Sequence, residues 1–188
     1  RVTCSDTGIF NGLSINALQM LYVNNSEHDD GFPWHETTTS SSLHTLVLDN
    51  SVLSSTCLSN VLHDCPVTSL SINSGTWVYS KLLIHLCVES SMTTDADVSL
   101  FTRELLFLRT CSIRNCSETT DVSLRHIADN AGGRLQVLHA DIKYPGDSGT
   151  EALLTIFANK CTALTYLNVN CYDKLLCSGR VFSTIVTG

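Results

Sequence analysis

One six-residue phrase returns six times along this chain: an apolar residue, two others, a second apolar residue, one other, and a third apolar residue. It reads Leu18-Gln-Met-Leu21-Tyr-Val23, Leu43-His-Thr-Leu46-Val-Leu48, Val67-Thr-Ser-Leu70-Ser-Ile72, Leu108-Arg-Thr-Cys111-Ser-Ile113, Leu135-Gln-Val-Leu138-His-Ala140 and Leu164-Thr-Tyr-Leu167-Asn-Val169. The starts lie 25, 24, 41, 27 and 29 residues apart. No such phrase can bury its apolar side alone, so a recurrence in the twenties requires neighbours to stack into one continuous core.

The spacing sets the local structure. The second and third apolar residues are two apart and point to one face of a strand, while the residue between them points to the other. The chain must then cross to the outer surface and return, and the intervening segments carry helical spacing. Ser55 to Cys65 places Leu58, Val61, Leu62 and Cys65 on one stripe, Tyr79 to Leu86 places Leu82, Leu83 and Leu86, and Asp121 to Ala128 places Leu124, Ile127 and Ala128. Ser148-Gly-Thr-Glu151 is a capping box opening a helix with Leu153, Ile156 and Phe157 inside. Asp6, Ile9, Phe10 and Leu13 read as the helix of a repeat whose strand lies before Arg1, so the chain is expected to be a fragment or processed form of a longer one.

Two stretches break the period. Residues 24–42 carry His28, Asp30, Trp34, His35, Glu36 and a Thr/Ser run, and their polarity, Gly and Pro predict an irregular loop. Its His and carboxylate groups have no fixed ligand spacing, so a solvated loop accounts for them better than hard-metal coordination. Trp34 either plugs a solenoid end or meets a partner. The gap of 41 residues is expected to hold an inserted helix or a degenerate repeat, an insertion over 87–99 with a polar connector from Glu89 to Asp95 and an extra helix marked by Leu100, Phe101, Glu104 and Leu105.

Cys161-Thr-Ala-Leu164-Thr-Tyr-Leu167-Asn-Val169-Asn-Cys171 resembles the cysteine-containing leucine-rich repeat, and so does the run from Leu108 through Cys111, Cys116 and Thr120-Asp121 to Ala128. The resemblance extends from the Asp6 segment to Cys171. It implies an α/β fold, a leucine-rich-repeat solenoid with short parallel strands on the concave face and helices on the convex face. The expected organisation is a single domain over 1–188, with about six strand repeats plus a partial N-terminal one. F-box substrate receptors carry such repeats, as do mitochondrial assembly factors related to the coupling factor of ATP synthase.

Composition narrows the function classes. Apolar residues make up 43% and charged residues 15% of the 188, enough for a continuous core and unlike a disordered chain. A net charge of -7 with 11 dispersed Lys and Arg argues against nucleic acid, whose phosphates need clustered cations. No apolar run is long enough to span a bilayer. Of the nine cysteines, Cys65, Cys87, Cys111 and Cys161 sit where small buried hydrophobes fit, which favours reduced, structural thiols and a cytoplasmic or nuclear setting. Mitochondrial and secreted settings are the alternatives, the latter raised by the sequons at Asn24 and Asn115. Zinc is not expected, since there is no CxxC and the His63/Cys65 and His85/Cys87 pairs fall on presumed helices without a second pair.

No catalytic phrase survives scrutiny. Gly146-Asp-Ser148-Gly149 matches the start of a serine-protease nucleophile motif, but Thr150-Glu151 follows, and a turn with an N-cap explains the residues. Gly132-Gly133 follows a helix and precedes a strand, as a C-terminal stop does. The expectation is no enzyme, no cofactor and no metal, and a protein partner held on the concave strand face by Tyr22, His44, Asp49, Arg109, Arg114, His139, Asp141, Tyr166 and Asn168. The resemblance implies a non-catalytic interaction module, such as the substrate-recognition solenoid of a ubiquitin-ligase receptor. A ligase adaptor would bind only through an F-box outside this chain. A scaffold or assembly subunit of a large complex, or a secreted recognition domain, is the other reading.

Overall fold

The computed structural model describes residues 2–4, 18–24, 42–49, 55–73, 80–89, 92–142, 149–171 and 182–184. In chain order the elements are β1 (Val2–Cys4), β2 (Met20–Asn24), β3 (Thr45–Asp49), α1 (Ser55–Asp64), β4 (Ser69–Ile72), β5 (His85–Glu89), α2 (Asp95–Glu104), β6 (Thr110–Arg114), α3 (Asp121–Ala131), β7 (Val137–Ile142), α4 (Gly149–Lys160), β8 (Tyr166–Cys171) and β9 (Phe182–Thr184). The strands form one nine-stranded sheet whose spatial order is the sequence order. Every pairing from β1 to β8 is parallel, and β9 closes the far edge antiparallel to β8.

Register follows from the apolar phrase. Leu21, Leu46, Leu70, Leu86, Cys111, Leu138 and Leu167 form one row across β2 to β8, and Val23, Leu48, Ile72, Val88, Ile113, Ala140 and Val169 form a second. All are buried. They meet the helices' inward residues, among them Leu58 and Val61 of α1, Phe101 of α2, Ile127 of α3 and Phe157 of α4, in one core. A slip of one residue would turn both rows outward, so the packing fixes the register.

The same backbone signature marks each step. The carbonyl just before a strand accepts two amides of the next chain segment: Gln19 takes His44 and Thr45, His44 takes Thr68 and Ser69, Thr68 takes Ile84 and His85, Ile84 takes Arg109 and Thr110, Arg109 takes Gln136 and Val137, and Gln136 takes Thr165 and Tyr166. This repetition makes β5 an ordinary member of the stack.

That finding corrects the expectation of a helix from Tyr79 to Leu86. Leu83-Ile-His-Leu86-Cys-Val88 is a seventh copy of the phrase, lying 16 residues after Val67 and 25 before Leu108. Leu82, Leu83 and Leu86 fit a helical stripe as well as a strand, and periodicity cannot separate the two in so short a run. Burial does: Leu83 is fully buried and Leu82 is 49% exposed. The expected insertion over 87–99 is accordingly the end of β5 and the start of α2, the crossover helix of its own repeat. A strand, β1 at Val2–Cys4, lies after Arg1 and ahead of the Asp6 segment.

Helix ends obey local chemistry. At α2, the Thr94 hydroxyl accepts from the Asp97 amide at 3.3 Å while the Asp97 carboxylate accepts from the Thr94 amide at 2.9 Å, a reciprocal cap. At α3 the Thr120 hydroxyl accepts from the Val122 amide at 3.2 Å. Gly132 ends α3 in right-handed geometry, with φ -51°, so its stop is not a left-handed turn. It is needed for close approach: a Cβ there would lie 2.4 Å from the Ala128 carbonyl oxygen and 2.7 Å from that of Lys160 in the next repeat. The Asp6 to Leu13 segment, residues 25–41, Tyr79 and the Ser148 and Glu151 side chains lie outside the described residues.

Candidate functional site

Alternation along the strands leaves the second side of the sheet facing away from the core. Three rows of side chains run across it in register. The first is Met20, Thr45, Ser69, His85, Thr110, Val137 and Tyr166, the second Tyr22, Val47, Ser71, Cys87, Ser112, His139 and Asn168. The third, at the trailing ends of the strands, holds Asn24, Asp49, Asn73, Glu89, Arg114, Asp141 and Asn170. In the first row Met20, His85 and Tyr166 are exposed, Met20 and Tyr166 at 36% and 37% and at its opposite ends.

Carboxylates in the third row are tied to their neighbours. Asp49 accepts from the Tyr22 hydroxyl and the Asn73 amide, both at 2.7 Å. Glu89 accepts from Asn115 at 2.6 Å and pairs in register with Arg114. Asp141 accepts from Asn170 at 2.7 Å and lies 3.3 Å from His139 Nε2. Each bond crosses a strand boundary or closes on a neighbour, so these groups pin adjacent repeats together. The amide oxygens of Asn24, Asn168 and Asn170 are buried and, among the described residues, accept no hydrogen bond.

Of the residues expected on the recognition surface, Arg114 and Tyr166 are exposed on this face, and Tyr22, Asp49, His139 and Asn168 are half-buried. His44 and Arg109 are exposed at the leading edge, just before their strands. Asp141 is 7% exposed, and Ser112 in the middle row 8%. His139 and Asn170 engage Asp141, and Arg114 Nε donates to Ser112 Oγ at 3.1 Å. These two residues therefore belong to the internal polar lattice of the face.

Ser112 pairs in register with His139, which lies 3.3 Å from Asp141, and Ser112 Oγ accepts from Arg114 Nε. The Asn168 side-chain amide sits 3.2 Å from His139 Nδ1, and the other ring nitrogen, Nε2, is the one near Asp141.

Sequence reasoning missed His85, Cys87 and Glu89, which β5 adds to the three rows. The signal was present in the phrase beginning at Leu83. His85 and Cys87 lie on a strand, and His63 on α1 is bonded to Asp64 at 2.9 Å. Cys87 is half-exposed on the open face instead of filling the core, whereas Cys65, Cys111, Cys116 and Cys161 are buried, and none of these five is disulfide-bonded. Burial raises the Cys111 thiol far above its ordinary range and pushes Cys161 up to about 11, with Asp129 adding to the latter and Lys160 opposing it. Neither is a thiolate at neutral pH. Asn115, the acceptor of the second sequon, is exposed in a turn with φ 52°, a left-handed conformation that asparagine tolerates.

Among the described residues, no group of three or more His, Cys, Asp or Glu is placed to hold a metal ion, and no helix is long and apolar enough to cross a membrane. No protein-family model matches the chain, and no curated protein matches it.

Proposed function

We propose that this chain is a leucine-rich-repeat solenoid acting as a non-catalytic protein-interaction module, with the open sheet face as its recognition surface. The observation that carries the reading is the division of the sheet. Seven in-register copies of one apolar phrase build a single-sided core, and the other side is left as a broad polar surface punctuated by Tyr22, His139, Arg114 and Tyr166. Tyr and Arg are the residue types that most often anchor protein interfaces, because a large rigid or multiply donating group gains contact at small entropic cost. In its more specific form, the proposal is a substrate receptor whose repeats hold a target while a segment outside this chain recruits a ligase adaptor. It rests on the resemblance of the Cys161 to Cys171 phrase.

The test compares quantitative capture of partners by the unaltered chain with Tyr166→Ala, Arg109→Ala and Arg103→Ala, the last on the helical side, where its side chain is 65% exposed. Loss of an anchor on the recognition face is expected to cost about 1 to 3 kcal/mol of binding with unchanged melting, and Arg103→Ala should bind normally. Capture lost in Arg103→Ala and retained in both others would assign recognition to the helices and favour a subunit packed inside a larger assembly.

A further inference from the structure

The strongest unexplained cluster lies away from the open face, where α2 meets α3. The Asp95 carboxylate, in the first turn of α2, accepts four hydrogen bonds from the start of the next repeat's helix. The Thr120 amide donates to Oδ1 at 2.9 Å and its hydroxyl to Oδ2 at 2.7 Å; the Ser123 amide donates to Oδ1 at 3.0 Å, joined there by the Ser123 hydroxyl. Because the Thr120 hydroxyl donates to Asp95, its oxygen is free to accept from the Val122 amide, which is the cap of α3. The cap of one helix is thus oriented by a side chain of the helix before it. Beside this point Thr94 and Glu118 form a backbone bridge. At the far ends Asn130 donates to the Ser99 carbonyl at 3.3 Å, and Arg134 donates to the Thr102 and Leu105 carbonyls at 2.8 and 3.0 Å.

Asp97, two residues on, offers an internal contrast. Its carboxylate has the same charge and sits in the same first turn, yet it accepts from the Thr94 amide and hydroxyl of its own helix. Both acids complement the α2 dipole, and of the two only Asp95 carries described bonds across the repeat boundary.

We propose that Asp95 is a latch between consecutive repeats, making the first turns of α2 and α3 open and close as one unit instead of fraying separately. Carboxylate oxygens only accept, and four donors converge on them. Replacing one oxygen by an amide of the same shape would set donor against donor, so Asp95→Asn breaks the latch with little change in volume.

Native-state amide hydrogen exchange on the full chain tests this. Asp95→Asn is expected to speed exchange about tenfold or more at Val122 to Leu124 as well as in the first turn of α2, whereas Asp97→Asn should speed exchange in α2 alone. Should Asp95→Asn be too unstable to measure, Ser123→Ala, which removes one of the four donors, should speed exchange in both first turns by a smaller factor. The latch is refuted if exchange at the start of α3 is unchanged in the measurable variant, or if Asp97→Asn accelerates α3 as strongly.

Discussion

Replacing Leu86 and Leu82 by Ala, one at a time, distinguishes the strand reading of residues 83–88 from the helical one, because the helical stripe buries both leucines and the strand buries only Leu86. In the strand, Leu86 lies between Leu70 and Cys111 in the core row at 3% exposure, while Leu82 is 49% exposed before the strand begins. Leu→Ala removes three carbons, at about 0.8 kcal/mol each for lost burial, or about 2.4 kcal/mol. Neighbours on both sides are themselves pinned in register, so the void cannot collapse, and a cavity contribution brings the total to about 3 to 4 kcal/mol. For a chain of this size that lowers Tm by about 6 to 16 °C. Leu82→Ala should fall within about 0.5 kcal/mol of the unaltered protein. Urea unfolding of both variants reads the difference directly. Equal costs at the two positions would restore the helical stripe and remove β5 from the sheet.

Two further perturbations have definite signs. At Asp95, burial alone would raise the carboxyl's pKa, but the hydrogen bonds from Ser123 and Thr120 outweigh it and hold the pKa below the ordinary aspartate value of 3.8. A group depressed in the folded state contributes stability above its unfolded pKa and loses it as pH falls through the folded one. Acid titration should therefore show a loss of stability below about pH 4 that is smaller in Asp95→Asn, and an identical profile in the variant would contradict the assignment. Gly132→Ala should cost about 1 to 3 kcal/mol, since the new Cβ meets the carbonyl oxygens of Ala128 and Lys160, and an unchanged unfolding midpoint would argue that α3 and α4 do not approach so closely.

The stack was legible because its signal is alternation itself: Leu46 and Leu48, or Leu138 and Ala140, are two apart and share the buried face. The helices were legible where their stripes were long, as at Leu124, Ile127 and Ala128. β5 was hidden because Leu82, Leu83 and Leu86 satisfy two periodicities at once, and because its repeat follows the previous one after only 16 residues. The rows of the open face could be read from the same alternation, but not the bonds within them. That Asn73 donates to Asp49 and Asn170 to Asp141 depends on register between strands more than twenty residues apart. The burial of Ser112 and Asp141 depends in turn on how Arg114 and His139 fold over their neighbours, which no single phrase encodes.

Site-specific photo-crosslinking puts the recognition surface to the most direct test. A crosslinking residue at Ser71, half-buried in the middle row of the open face, should yield a discrete adduct with a protein partner, while the same residue at Arg103 on α2 should yield none. Adducts formed from Arg103 and absent from Ser71 would contradict the account and move recognition to the helical side.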